Sequence, residues 1–153
     1  MSDSQIGWLF VAAQIALLAG VVLLPTGDDW DRTGGVRLIA LTINLIGLMI
    51  LIVGVLGLGR SLTPSPMPMP ESQLQTGGLY ALVRHPIYTG VMALVVGVAL
   101  GSGSIVRAGI AAATLLFFNI KARWEESRLV EKFPEYPAYA TTVPRFIPRT
   151  LRP

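Results

Sequence analysis

The two halves of this chain meet at residues 77–90, which read GGLYALVRHPIYTG and contain the single histidine. The stretch follows a proline-rich polar segment and precedes a long apolar run. Proline suits the first turn of a helix, where its missing N–H costs no hydrogen bond, and it forces the preceding residue out of the helical region. The sequence therefore predicts that a helix begins at Pro86, with His85 as its cap and Arg84 just before it.

Four apolar segments lie on either side of this boundary, at residues 6–24, 36–59, 86–101 and 105–120. The first two are long enough as helices to cross a hydrocarbon core of about 30 Å. The last two are shorter and are separated by the turn sequence GSGS, which predicts a helical hairpin. We expect an all-α integral membrane protein of one domain, residues 1–153, with about four transmembrane helices and a helical C-terminal tail.

Two polar or small features within the second segment have structural interpretations. Gly54, Gly57 and Gly59 leave much of its end small, which favours close contact with another helix. Asn44 is expected to form a hydrogen bond between helices rather than to act in catalysis.

The composition excludes several kinds of site. The chain has 153 residues, of which 52% are hydrophobic and 14% charged, and this balance is typical of a membrane protein. It has no cysteine, which excludes disulfides, thiolate catalysis and cysteine metal sites, and its one histidine excludes a histidine-rich zinc site. Metal sites with oxygen ligands stay open, but nothing in the sequence indicates one, so no metal site is predicted. The net charge of +3 is modest, and its basic C-terminal end suits a membrane surface rather than a nucleic acid.

The distribution of basic residues predicts an orientation. Arg60 and Arg84 lie between the second and third segments, and the C-terminal tail carries many more basic residues, from Lys121 to Arg152. Lysine and arginine accumulate in cytoplasmic loops, so both termini and the Arg84 region are expected on the cytoplasmic side. In a bacterium this is the inner or plasma membrane. Every second residue from 63 to 70 is proline, and this segment is expected to be extended.

The residues around the predicted helix start form a first half-site. Arg84 suits a carboxylate or phosphate, and the free N–H groups of a helix start also favour an anion. Tyr88 lies in the first turn and can offer its ring or its hydroxyl to the same ligand. Taken singly, Arg84 and His85 are more commonly interfacial residues facing lipid headgroups, and Tyr88 an aromatic-belt residue. Their combination at a helix start favours a site.

A second half-site follows the fourth segment, where the helix is expected to continue to about Phe133. Glu125 and Glu126 lie within two turns of the hydrocarbon edge, where a carboxylate is costly without a partner. The alternative is a solvated charged face with weak ion pairs, which suits Arg128 and Glu131 better. Arg145 is expected to anchor to lipid or to pair with a glutamate, with contact to the ligand as a further alternative.

The two half-sites in this order resemble the C-terminal half of the isoprenylcysteine carboxyl methyltransferase family, with its phospholipid methyltransferase-like relatives. The resemblance covers residues 75–148 and implies that this part of the chain is a cofactor-binding region. One departure is Phe133-Pro134, where family members often have Phe-Gly. The matching residues are Gly78, Leu79, Tyr80, Arg84, His85, Pro86, Ile87, Tyr88, Thr89, Gly90, Glu125, Glu126, Leu129, Phe133, Tyr136, Tyr139, Val143, Pro144, Arg145 and Pro148.

The resemblance implies S-adenosylmethionine as methyl donor and a lipid acceptor that enters from the bilayer. Charge complementarity assigns Arg84 to the carboxylate of the donor, Glu125 or Glu126 to its amine or ribose, and Tyr80 or Tyr88 to its adenine. Glu126 and Arg84 are the expected catalytic residues, with Glu126 as a base where the acceptor is an amine or hydroxyl. The full set of expected cofactor-binding residues is Leu79, Tyr80, Arg84, His85, Tyr88, Glu125 and Glu126.

Two other functions compete with methyl transfer. Membrane reductases that use NADPH carry a similar R-H-P-x-Y motif, although this chain is short for them and Thr89-Gly90 lacks an expected acidic residue. A non-enzymatic membrane subunit fits the size but leaves the charged half-sites unexplained. Prenylated protein C-termini, phospholipid amines, isoprenoids and small thiols are all open as acceptors, and the oligomeric state is open as well.

Overall fold

The computed structural model describes residues 2–59 and 73–149, and within these ranges the chain is helical and contains no strand. The predicted extended segment at residues 63–70, and also Arg60 and Arg152, lie outside the described residues. The all-α prediction is confirmed. The helices are α1 (Asp3–Leu23), α2 (Gly34–Leu58), α3 (Pro86–Ser102), α4 (Ile105–Lys132) and α5 (Tyr136–Thr142), with a 3-10 turn at Gly78–Ala81 before α3.

Three of these helices, α1, α2 and α4, are long and apolar enough to cross a membrane. The shorter α3 has 17 residues and begins at Pro86 with His85 as its N-cap, as predicted. It ends at Ser102 and is capped by Gly103, whose φ of 65° lies in the left-handed region that favours glycine. Ser104 then caps α4 by accepting a hydrogen bond from the N–H of Arg107. Because α4 continues to Lys132 without a break, the two glutamates lie on the same helix as the fourth apolar segment.

The closest packing in the structure joins α2 to α3 through glycines. A Cβ built on Gly90 would lie 2.7 Å from the backbone nitrogen of Leu51 and 2.8 Å from the carbonyl oxygen of Gly47. One built on Gly54 would lie 3.1 Å from the side chain of Ile87. The expected close contact along the small face of α2 is therefore confirmed, and it holds the start of α3 against α2.

Asn44 differs from its prediction. A Cβ built on Gly97 would lie 2.2 Å from Asn44 Oδ1, so the amide fills the space that the glycine leaves. This oxygen is buried and accepts no hydrogen bond from the described residues. Asn44 thus contributes to helix packing, but its oxygen does not form the expected interhelical hydrogen bond.

The Gly90→Ala substitution is expected to lower the thermal unfolding temperature of the detergent-purified protein. The new methyl group would meet backbone atoms of Leu51 and Gly47, which cannot move without separating the two helices. Overpacking of this kind costs about 2 kcal/mol. Gly109→Ala is the matched control, because a Cβ on Gly109 meets nothing within 4 Å. Equal unfolding temperatures for the two variants would contradict the close α2–α3 contact.

The opposite end of the bundle is closed by loop hydrogen bonds. In the α1–α2 loop, the N–H of Gly27 donates to the carbonyl of Ser102 at 3.0 Å, and that of Asp29 donates to Gly103 at 2.9 Å. Arg107 donates to carbonyl oxygens at the C-terminal end of α1. These bonds tie the α1–α2 loop to the α3–α4 turn and fix the hairpin at the end away from Pro86.

Candidate active site

The C-terminal segment crosses the start of α3 and is bonded to it through the backbone. The N–H of Arg84 donates to the carbonyl of Pro144 at 2.9 Å, and the N–H of His85 donates to Arg145 at 3.1 Å. The hydroxyl of Thr89 donates to the carbonyl of Phe146 at 3.0 Å. The first half-site is therefore framed by the residues that follow α5.

Glu126 is the centre of a charged cluster that combines both half-sites. Its Oε1 accepts from Arg84 Nε at 3.1 Å and from Arg145 Nε at 2.9 Å, and its Oε2 accepts from Arg145 Nη2 at 2.6 Å. His85 Nε2 lies 3.0 Å from the same Oε1, so this nitrogen carries a proton and donates. The hydrogen bond with Glu126 raises the pKa of the Arg145 guanidinium above its usual value. The expected pairing of Arg145 with a glutamate is confirmed.

Arg84 is used by the protein more fully than the sequence predicts. Its Nη1 donates to the carbonyl oxygens of Ala140 at 2.7 Å and Val143 at 2.8 Å, while Nε and Nη2 face Glu126. Only 11% of the Arg84 side chain is exposed. Most of its N–H groups are thus engaged, and the guanidinium fastens the end of α5 to the start of α3.

The Arg84→Lys substitution is expected to loosen α5 although it keeps the positive charge. A lysine ammonium cannot reproduce the planar fork that serves Glu126 and two carbonyls at once. We expect faster backbone hydrogen exchange across Tyr136–Thr142, measured by mass spectrometry. Arg149→Lys is the control, because Arg149 is exposed and makes one long bond, of 3.5 Å, to Thr141. Unchanged exchange in Arg84→Lys would show that the fork does not hold α5.

Glu125 and Tyr88 form a second part of the cluster. The Tyr88 hydroxyl donates to Glu125 Oε2 at 2.6 Å, and the Tyr88 ring stacks on the His85 ring with centroids 5.2 Å apart and planes 2° from parallel. Glu125 Oε2 lies 3.8 Å from His85 Nδ1. Oε1 of Glu125 accepts no hydrogen bond from the described residues, and 24% of the side chain is exposed. Glu125 is therefore the carboxylate with free acceptor capacity.

Three tyrosines pack behind this cluster. The Tyr80 hydroxyl donates to the carbonyl of Gly54 at 3.2 Å, and the Tyr139 hydroxyl donates to the carbonyl of Tyr80. Burial raises the pKa of Tyr80 above its usual value and that of Tyr139 to about 12, so both remain neutral donors at physiological pH. The hydroxyl of Tyr136 is buried and has no partner among the described residues.

The structure brings five of the predicted site residues into direct contact with one another. Tyr80 lies behind them against α2, and Leu79 closes the 3-10 turn through its carbonyl, which accepts from the N–H groups of Leu82 and Val83. The sequence analysis did not identify Lys121 or Gln14 as neighbours of the site, although Lys121 lies one helical turn before Glu125 on α4. That spacing is the sequence signal that could have found it. The five contacting residues are Arg84, His85, Tyr88, Glu125 and Glu126.

A helical bundle with three candidate membrane spans and a charged cluster at one end is consistent with a membrane enzyme. A family model described as phospholipid methyltransferase matches residues 35–136, which is more than half of the chain. The chain belongs to this family of membrane methyltransferases. Because α1 ends at Leu23, it lies outside the matched residues.

Two curated relatives match most of the chain. The nickel-cobalt-cadmium resistance protein NccN of Alcaligenes xylosoxydans xylosoxydans is 30% identical over 150 residues, which is 97% of this chain and 67% of that protein. The cobalt-zinc-cadmium resistance protein CzcN of Cupriavidus metallidurans is 31% identical over 128 residues, which is 83% of this chain and 57% of that protein. The chain thus spans about two thirds of the first relative and less of the second. Residues 2–59 and 73–149 contain no group of three or more histidines, aspartates or glutamates placed to hold a metal ion.

Proposed function

We propose that this protein transfers a methyl group from S-adenosylmethionine to a lipid or another apolar small molecule at the membrane interface. The observation that carries the proposal is the joining of Glu125 and Glu126 on α4 with Arg84, His85 and Tyr88 at the start of α3. Membership of the phospholipid methyltransferase family supports the same reaction class. The basic loops and tail support a cytoplasmic position for the cluster.

The residues present suit the charged groups of this donor. Glu125 has a carboxylate oxygen that accepts no hydrogen bond within the described ranges, at a partly exposed position, which suits an ammonium group. The stacked rings of His85 and Tyr88 offer an aromatic surface beside it, which suits the adenine or the sulfonium. When bound, S-adenosylmethionine supplies an electrophilic methyl group on a sulfonium. Arg84, whose donors are largely engaged, suits the expected carboxylate contact less well.

We infer different roles for the two glutamates from their hydrogen-bond partners. Both oxygens of Glu126 accept hydrogen bonds from guanidinium groups, and Oε1 also faces His85 Nε2, so Glu126 positions Arg84, His85 and Arg145 rather than accepting a proton. Glu125 contacts the donor and is also the carboxylate available to a polar acceptor. In-line transfer to a carboxylate, amine or thiol depends mainly on orientation, which can contribute about 7–11 kcal/mol to lowering a barrier. We infer that the cluster acts chiefly by such positioning.

The proposal is tested by following label from [methyl-³H]S-adenosylmethionine. The purified protein in neutral detergent is incubated with phosphatidylethanolamine, with an S-farnesylcysteine derivative or with a long-chain thiol, and the organic phase is counted. We expect label in the organic phase with at least one of these acceptors, and its loss on addition of S-adenosylhomocysteine. No label above the protein-free level with all three acceptors would count against the proposed reaction.

A further inference from the structure

Lys121 is a buried cation beside the cluster that the roles above do not use. It lies on α4 one turn before Glu125, and only 1% of its surface is exposed. Its Nζ donates to Oε1 of Gln14 on α1 at 2.6 Å, and it lies 5.2 Å from the centre of the Tyr88 ring. Lys121 therefore lies between α1 and the Tyr88 ring of the candidate site.

The charge of Glu125, one turn further along α4, acts on this ammonium from beyond ion-pair distance. Among the described residues, no ion pair within 4.0 Å includes Lys121, whereas Arg84 and Arg145 share the carboxylate of Glu126. An ammonium has three N–H donors, and the bond to Gln14 uses one of them. A buried charge is costly unless it is paired, so Lys121 can bind an anionic partner that the described residues do not place within ion-pair distance.

The position of Lys121 indicates which ligand supplies that partner. It lies on the apolar side of Glu125, towards the body of α4, and its partner Gln14 lies in the middle of α1. Within α1 only Gly7 and Val21 are buried, so this helix covers the lysine with little packing of its own. The surface of α1 beside Gln14 is apolar, as at the exposed Ile15, so the approach to Lys121 between α1 and α4 comes from the bilayer rather than from water.

We propose that Lys121 binds an anionic group, a carboxylate or a phosphate, on the apolar acceptor as that acceptor enters between α1 and α4. The uncharged oxygen of Gln14 holds the ammonium in place before the acceptor arrives. The inference rests on the proposed methyl transfer, since it names the chemical class of the acceptor for that same site. Gln14 lies outside the family-matched residues 35–136, so this recognition belongs in part to α1 of this chain.

The test compares dodecanoate with uncharged dodecanol as ligands, by calorimetric titration in neutral detergent with and without S-adenosylhomocysteine. Loss of a charge-assisted hydrogen bond should weaken dodecanoate binding roughly tenfold or more in Lys121→Met, with dodecanol binding unchanged. Lys121→Arg should keep most of the affinity. The matched control is Arg123→Met, which removes an exposed cation two residues away and should leave both ligands unaffected.

Two results would overturn the assignment. Equal dodecanoate affinity in the wild type, Lys121→Met and Lys121→Arg would show that Lys121 does not bind the anionic group. Weakened S-adenosylhomocysteine binding in Lys121→Met, with dodecanoate binding unchanged, would assign the ammonium to the methionine carboxylate of the donor instead. Failure of the wild type to bind S-adenosylhomocysteine would contradict the proposed function, while the dodecanoate comparison without that nucleoside would still decide the role of Lys121.

Discussion

Replacing Glu126 by glutamine is expected to lower the rate of methyl transfer roughly 100-fold and to destabilise the protein. The carboxylate is only 12% exposed and neutralises Arg84 and Arg145 while it orients His85. A neutral amide would remove the counter-charge of the largely buried Arg84 and of the partly exposed Arg145, which costs on the order of 3 kcal/mol. Since Arg84 also holds the end of α5, the site geometry should change as well, and misplacement of about 1 Å lowers turnover roughly 100-fold.

The measurement for Glu126→Gln combines thermal unfolding with the labelled methyl-transfer assay. The control is Glu131→Gln on the same helix, because Glu131 is exposed and pairs with Arg128 at the surface. Such pairs contribute little to stability, so this control should behave like the wild type. Near-normal turnover and an unchanged unfolding temperature in Glu126→Gln would remove Glu126 from the site.

Replacing Glu125 by glutamine is expected to weaken S-adenosylhomocysteine binding without destabilising the protein. Glutamine can still accept the hydrogen bond from the Tyr88 hydroxyl, so the local packing should persist. What is lost is the negative charge on the open oxygen that suits the ligand ammonium. A charge-assisted hydrogen bond is worth about 1.5–3 kcal/mol, which corresponds to a loss of affinity of roughly tenfold or more.

Calorimetric titration with S-adenosylhomocysteine measures this effect directly. Glu135→Gln is a suitable control, because Glu135 is an exposed carboxylate just before α5 and forms no ion pair in the described structure. Wild-type affinity in Glu125→Gln would show that the open carboxylate oxygen does not contact the ligand. The contrast between the variants of Glu125 and Glu126 also separates a ligand-binding role from a positioning role.

Several parts of the fold followed from local sequence signals. Pro86 predicted the start of α3, and the glycines of α2 predicted a close helix contact, because backbone conformation and side-chain size act locally. The pairing of the two half-sites was also expected, from the cost of carboxylates near the hydrocarbon edge. The cytoplasmic position of the cluster remains a prediction from the basic residues.

The remaining features depend on contacts between distant parts of the chain. Arg84 was expected to bind a ligand carboxylate, but the carbonyls of Ala140 and Val143 occupy its donors, and no local pattern specifies that contact. The bond from Lys121 to Gln14 joins residues 107 positions apart. Asn44 was expected to form a hydrogen bond between helices, yet its side-chain oxygen packs against Gly97 without one from the described residues. The distance between α2 and α3 determines which atoms this side chain can contact, and the sequence does not specify that distance.

The most direct test of the central claim is a calorimetric titration of the detergent-purified wild-type protein with S-adenosylhomocysteine and, separately, with NADPH. If the joined half-sites form a methyl-donor site, S-adenosylhomocysteine should bind saturably with one site per chain, and the heat should be lost in Glu126→Gln. NADPH should produce no saturable heat. Saturable binding of NADPH without binding of S-adenosylhomocysteine would contradict the account and assign the cluster to a reductase. Binding of neither ligand by a protein with a cooperative unfolding transition would favour a non-enzymatic membrane subunit.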